Sequence, residues 1–189
     1  MIIYRRFDAH WLEEQLKKHA LKQVVDKKWP KLSIEAIKLP RGMSINVAWT
    51  GESASTSEMV KKMNEFKEKE LKFYRDIYSN IGNLVEELVD SMKENDKDRI
   101  IELLNDNHLM LAKLTKKSKV NVETRELRKL HEIARKYGAG KLSGAGGGDC
   151  GIGICFDKSK AEKMRKVWSA SGLNVIDVKI GDDGVKLHG

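Results

Sequence analysis

The sequence predicts an α+β fold, with antiparallel strands in one layer and helices in another, and three observations predict it. Short runs of period-two hydrophobicity stand near both ends of the chain and beside its most glycine-rich stretch. Between them lies a long tract whose apolar residues recur three, four or seven apart, the mark of amphipathic helices. The third observation is the run KLSGAGGGDCGIGICF, from Lys141 to Phe156, where glycines crowd positions 144 to 153 and alternating Ile152, Ile154 and Phe156 follow at once. That run reads as a glycine loop feeding a strand.

Taken in order, Ile2 to Phe7 (IIYRRF) is expected as a strand, and Asp8 as the cap of a helix carrying Trp11, Leu12 and Leu16. Val24 and Val25 continue the helical pattern until Trp29-Pro30 ends it. Ser33 to Leu39 is a less regular strand, closed by the turn residues Pro40-Arg41-Gly42. Met43 to Thr50 is a clear one, with Ile45, Val47 and Trp49 on one face. The helical stripe then runs through Met59, Met63, Phe66, Phe73, Ile77, Ile81, Leu84, Leu88 and Met92, with Gly82 and its flanking Asn residues as a point of breaking or bending, and Asn95-Asp96 turns it. Ile100 to Leu114 and Leu127 to Tyr137 mark two further helices, on which His108 and His131 sit singly and read as core. Ala161, Met164, Val167 and Trp168 make a last helix, stopped at Ser171-Gly172, and Leu173 to Val178 a last strand.

Composition narrows the function. A chain of 189 residues is long enough for one substantial core, the expected arrangement, or for a domain plus an appendage, and 40% apolar with 34% charged residues describe a soluble protein. Its apolar runs are too short to span a bilayer, and Arg5, Arg6 and Asp8 interrupt any leader, so the chain reads as cytoplasmic without a membrane partner. Cys150 and Cys155 lack metal-ligand spacing and point to opposite faces of a strand, which excludes a disulfide or zinc site. A net charge of +8 favours anionic partners in general, but the lysines interleave with glutamates, and no nucleic-acid motif or aromatic interleaving accompanies them.

Two stretches carry chemistry. GGGDCG, Gly146 to Gly151, has the spelling of a dinucleotide fingerprint, but its context has a helix before and a strand after instead of the reverse, and no Walker A pattern surrounds Gly140-Lys141. Consecutive glycine amides can instead form an anion-binding nest, flanked here by Lys141, Ser143 and Asp149; a tight crossing packed on helices is the other reading. In TGESASTSEMV, Ser55 and Glu58 fit a capping box, while Thr50, Ser53, Thr56 and Ser57 exceed what capping needs. Capping alone and capping with phosphate contact both remain open, since a helix N-terminus suits an anion.

KLSGAGGGDCGIGICF resembles the C-terminal glycine motif of the GHMP kinases, the family of galactokinase, homoserine kinase, mevalonate kinase and phosphomevalonate kinase, and its GAGGGDCG form is most similar to the bacterial phosphomevalonate kinases. VAWTGESASTSEMV (Val47 to Val60) and the IYRRFDAHWL start are similar to segments of the same enzymes, in the same order. The resemblance implies a GHMP kinase C-terminal domain, a ferredoxin-like antiparallel sheet packed against a helical layer, over residues 33–189 with the glycine motif at 141–156. Residues 1–32 would be the end of the N-terminal half's last strand plus linking helices. The family's PxxxGLGSSAA-like ATP loop has no counterpart here, so the chain is expected to be a C-terminal half. By the same resemblance its partner would be the N-terminal half, its cofactors ATP and Mg²⁺, and its acceptor substrate phosphomevalonate. Lys141, Ser143, Gly144, Ala145, Gly146, Gly147, Gly148 and Asp149 would approach phosphate, and Ser55, Thr56 and Ser57 the acceptor; no catalytic residue is assigned. A strand at Ile2 to Phe7 without its sheet would leave an edge open to dimerisation.

Overall fold

The computed structural model describes residues 2–144 and 146–181. The chain divides into two compact units, Met1–Leu39 and Pro40–Gly189. In the first, β1 (Ile2–Arg5) pairs antiparallel with β2 (Ser33–Ala36), Ile3 opposite Glu35. Between them lie α1 (Ala9–Lys18), capped by Asp8 through the Trp11 amide as expected, and the short α2 (Leu21–Val25). Val24 is fully buried, and Trp29 Nε1 donates to its carbonyl at 2.9 Å while the Trp29 ring meets Phe7 edge-on. Within this unit β2 finds its hydrogen-bond partner in β1. That pairing gives β1 one neighbour within the chain, though Ile2, Tyr4 and Ile34 stay exposed.

The second unit runs β3 (Ser44–Trp49), α3 (Thr56–Lys69), α4 (Leu71–Glu94), α5 (Lys97–Ser118), α6 (Arg125–Ala134), β4 (Ala139–Leu142), β5 (Cys150–Cys155), α7 (Lys158–Ala170) and β6 (Asn174–Ile176). Its strands form one antiparallel sheet in the order β4-β5-β3-β6. That is the ferredoxin-like βαββαβ order, with the helices α3 to α6 as the first crossing and α7 as the second.

Alternation splits the sheet into two faces. Ile45, Val47 and Trp49 share one with Ile154, Ile152 and Cys150 opposite them. The other is the better buried on β3: Asn46 and Ala48 lie inward while Trp49 is 38% exposed. There Leu130 of α6 and Trp168 of α7 lie directly over Gly151 and Gly153, so closely that a Cβ at either would meet a side-chain atom under 3 Å away. Ala48, Leu130, Met164, Trp168 and Leu173 form this core, and Trp168 Nε1 donates to the Leu130 carbonyl at 3.0 Å. Small residues on the strands are what let two helices sit this close.

Two sequence expectations change. The stripe from Met59 to Met92 is not one helix bent at Gly82: Gly82 lies inside α4, and the break is Glu70, which leaves helical φ/ψ while its amide closes α3 on Phe66 O and its carbonyl opens α4 to the Tyr74 amide. Phe66 and Phe73 still meet edge-on across the break, so the apolar period continues through it. The glycine loop is preceded by β4, not directly by a helix, which makes it the connection of a β-hairpin. Ala139-Gly140 carries no strand propensity; Gly140 is there because His131 and Ala134 of α6 press on it. The other punctuation is as expected: Asn95 closes α4 in the left-handed region, Asp96 caps α5, and Gly172 follows α7 at φ +84°.

Candidate functional site

The hairpin loop and the β3–α3 corner, distant in sequence, meet in space. Thr50 donates its amide to Asp149 O at 2.8 Å and its hydroxyl to the same oxygen at 2.9 Å, and the Asp149 amide donates to Glu52 O at 2.7 Å. Asp149 itself sits at φ +55°. Beside this seam the backbone of Gly148 closes on Glu52 and Ala54, and Gly147 on Ala54 and Met59. The loop thus lies against the residues leading into α3, where Ser55, Thr56 and Ser57 are all exposed.

The glycines have two different reasons to be glycine. Gly146 and Gly147 both take φ +79°, and a Cβ would fall 2.2 Å from Val122 O or 2.4 Å from Met59 Sδ. The Gly147 amide donates to Val122 O at 2.8 Å, so this amide and that of Asp149 are satisfied by the protein itself. Gly144, at φ +64°, has nothing within 4 Å of a would-be Cβ and is exposed, as is Ser143. The run therefore divides: residues 146–148 pack closely against the chain, and residues 143–144 stand open to solvent. Ala145 lies outside the described residues.

The expected capping box does not form. Ser55 is the N-cap of α3, but its side chain makes no cap bond; its Oγ lies 3.4 Å from Ser57 Oγ, and Glu58 reaches forward to Lys62 Nζ at 2.6 Å. That lysine hydrogen bond holds the Glu58 carboxyl below the usual carboxylate range. The first amides of α3 are therefore not closed by their own Ser55 hydroxyl.

Lys141 departs most from a flanking surface cation. It stands on β4 opposite Ile152, its Nζ 3.2 Å from Leu142 O, and burial depresses its pKa below the usual lysine value. It lines a cavity of about 390 Å³ beneath the loop, walled by Met59, Met63, Leu111, Val120 and Val122. Asn107, buried at 7% exposure, lines it too, and its Oδ1 has no partner. The sequence signal for Asn107 was its place on the α5 stripe, three or four residues from Leu103, Leu104 and Leu111.

Behind Gly140, His108 and His131 are not single core histidines. Their rings stack at 3.2 Å, His108 Nε2 lies 2.9 Å from Glu123 Oε1, and His131 Nδ1 lies 2.7 Å from Gly140 O. Burial, then the neighbouring His131, Arg128, Arg135 and Lys141, push the His108 pKa down to about 4. Among the described residues no three His, Cys, Asp or Glu side chains converge as metal ligands. Cys150 and Cys155 are free, and no described helix is long and apolar enough to cross a membrane.

A ferredoxin-like sheet whose β4–β5 glycine hairpin is latched to a serine-rich strand-to-helix corner defines the class: the chain carries the C-terminal domain of the GHMP kinases, and residues 84–174 match the family described as GHMP kinases C terminal. Within it, the likeness is to kinases of mevalonate and its phosphate. The chain is 25% identical over 175 residues to a Streptomyces phosphomevalonate kinase, covering 91% of this chain and 47% of that protein. It is 31% identical over 163 residues to the mevalonate kinase of Thermococcus sibiricus, covering 82% and 45%. The solved structure of Streptococcus pneumoniae phosphomevalonate kinase in complex with phosphomevalonate and AMPPNP superposes with a TM-score of 0.82 at 26% identity, over 94% of this chain and 51% of that one. The chain thus spans about half the length of the relatives it matches.

Proposed function

We propose that this chain is the acceptor-side, C-terminal half of a cytoplasmic phosphomevalonate kinase. In that reaction a phosphate oxygen of phosphomevalonate attacks the γ-phosphorus of ATP, the bond to the β,γ-bridging oxygen breaks, and diphosphomevalonate and ADP leave. The protein's part in phosphoryl transfer is to position groups and stabilise charge. Here Ser143 and the exposed Gly144 backbone would approach phosphate from the hairpin. The uncapped start of α3, with Ser55, Thr56 and Ser57, would offer amides and hydroxyls from the other side. Gly146, Gly147, Gly148 and Asp149 would hold the loop against that helix, and Lys141 would support it from beneath. ATP and Mg²⁺ would be held mainly by the N-terminal half, the partner this reading requires.

The observation that carries the reading is the seam itself: two motifs nearly a hundred residues apart, each resembling the same kinases, lie within hydrogen-bond reach. The relatives include both phosphomevalonate and mevalonate kinases, so the acceptor must be measured. Calorimetry with each acceptor, on the chain alone and with a separately expressed N-terminal half, tests the proposal. We expect phosphomevalonate to bind more tightly than mevalonate, no ATP turnover by the chain alone, and turnover once the second half is added. Binding of neither compound in either setting would make the domain a non-catalytic interaction module derived from such a kinase.

A further inference from the structure

The cavity under the loop is built differently from a phosphate site. Its walls are methionine, leucine and valine, and its volume of about 390 Å³ falls in the range of small-molecule pockets. Into this apolar setting the fold places one cation, Lys141, and among the described residues no carboxylate pairs with it. Burial is the sole cause of its lowered pKa, with no acidic neighbour opposing it. An ammonium so placed is costly until an anion meets it. Asn107 adds a buried carbonyl oxygen without a donor. At the mouth, Val60, Tyr78 and Val85 are exposed at 53%, 41% and 44%, so the apolar surface continues out to solvent.

We infer that this cavity binds a small amphiphilic anion, its single anionic head on Lys141 and its apolar chain along Met59, Met63 and Leu111. A hydroxyl or amide near the head would satisfy Asn107 Oδ1. The charge selects the occupant: a purely apolar guest leaves Lys141 unpaired, and a bare phosphate leaves the methionine walls unused. The site lies on the inner side of the hairpin, against α3, α4 and α5, and shares Gly144 and Lys141 with the loop above it.

Octanoate is a suitable probe on the full chain with ¹³C-methyl methionine, titrated in the absence of any phosphorylated metabolite and compared with octanol. The Met59 and Met63 methyl resonances should shift saturably with octanoate, and octanol should bind about tenfold more weakly, the worth of one charge-assisted contact. Lys141→Met should bring octanoate down to the octanol level, and Leu111→Trp, which fills the cavity, should weaken both. Unmoved Met59 and Met63 methyls, or equal binding of octanoate and octanol to the unmodified chain, would overturn the inference even if neither variant folds. Shifts that follow protein concentration alone would assign this face to a second copy and overturn it as well.

Discussion

The two ends of the glycine run use the same residue for opposite purposes. At Gly146 to Gly148 the missing side chain makes room for the protein's own backbone and for Met59; at Gly144 it makes room for nothing in the chain. A run that reads as one ligand cradle is therefore a packed wall joined to an open lip. The wall fixes where the lip stands, and only the lip is free to face a ligand.

Breaking the wall should cost the most. Gly146→Val puts a branched side chain at φ +79° against Val122 O, and we expect a loss of about 3–5 kcal/mol in urea unfolding from backbone strain and overpacking together. A loss below about 1 kcal/mol would mean the loop yields easily and is not a wall.

The histidine pair behind the wall comes next. Burial holds the His108 pKa at about 4 in the folded chain, below the 6.5 usual for an imidazole, so between those values the unfolded chain binds more protons than the folded one. Stability should therefore be full above about pH 6.5 and fall as the pH drops toward 4, by on the order of 2 kcal/mol from this group. Unfolding midpoints measured at neutral and mildly acidic pH should diverge, and His108→Gln should reduce that divergence; an unchanged pH dependence would remove the pair from the account.

At the lip, Gly144→Ala should cost only about 1 kcal/mol for its left-handed backbone, yet under the proposed function it should weaken phosphomevalonate binding once the second half is added. Undiminished affinity would move the ligand away from residues 143 and 144. The smallest change is expected for Ser55→Ala. Because its hydroxyl caps nothing, the loss in stability should be a few tenths of a kcal/mol, against about 1 kcal/mol for Asp96→Ala, whose carboxylate accepts from the Arg99 amide. Equal losses at the two caps would show that Ser55 does close α3.

Much of the fold was legible because its signals are local. Asp8, Asn95-Asp96 and Gly172 punctuate helices where their side chains or backbone freedom demand it, and the alternation of Ile45, Val47 and Trp49 marks β3. What was hidden is what only tertiary contact decides. Gly140 looks like a breaker until His131 and Ala134 are seen pressing on it, so β4 went unread. Glu70 breaks a helix without disturbing the apolar period, so periodicity passes over it. The pairing of His108 with His131 joins two helices through space and leaves no trace in spacing. For the candidate site, motif resemblance drew attention to two stretches that the fold brings together, but burial alone distinguishes Lys141 from the many lysines around it, and burial is not written in the neighbours of residue 141.

The crossed hydrogen bonds among Thr50, Glu52 and Asp149 have a consequence for timing. They tie the returning strand of the hairpin to the entry of α3 by main-chain links that neither segment can rearrange alone. The ordering entropy of bringing the two walls together is thus met when the chain folds, not when a ligand arrives. Association of a ligand at this seam should be fast and nearly free of conformational relaxation.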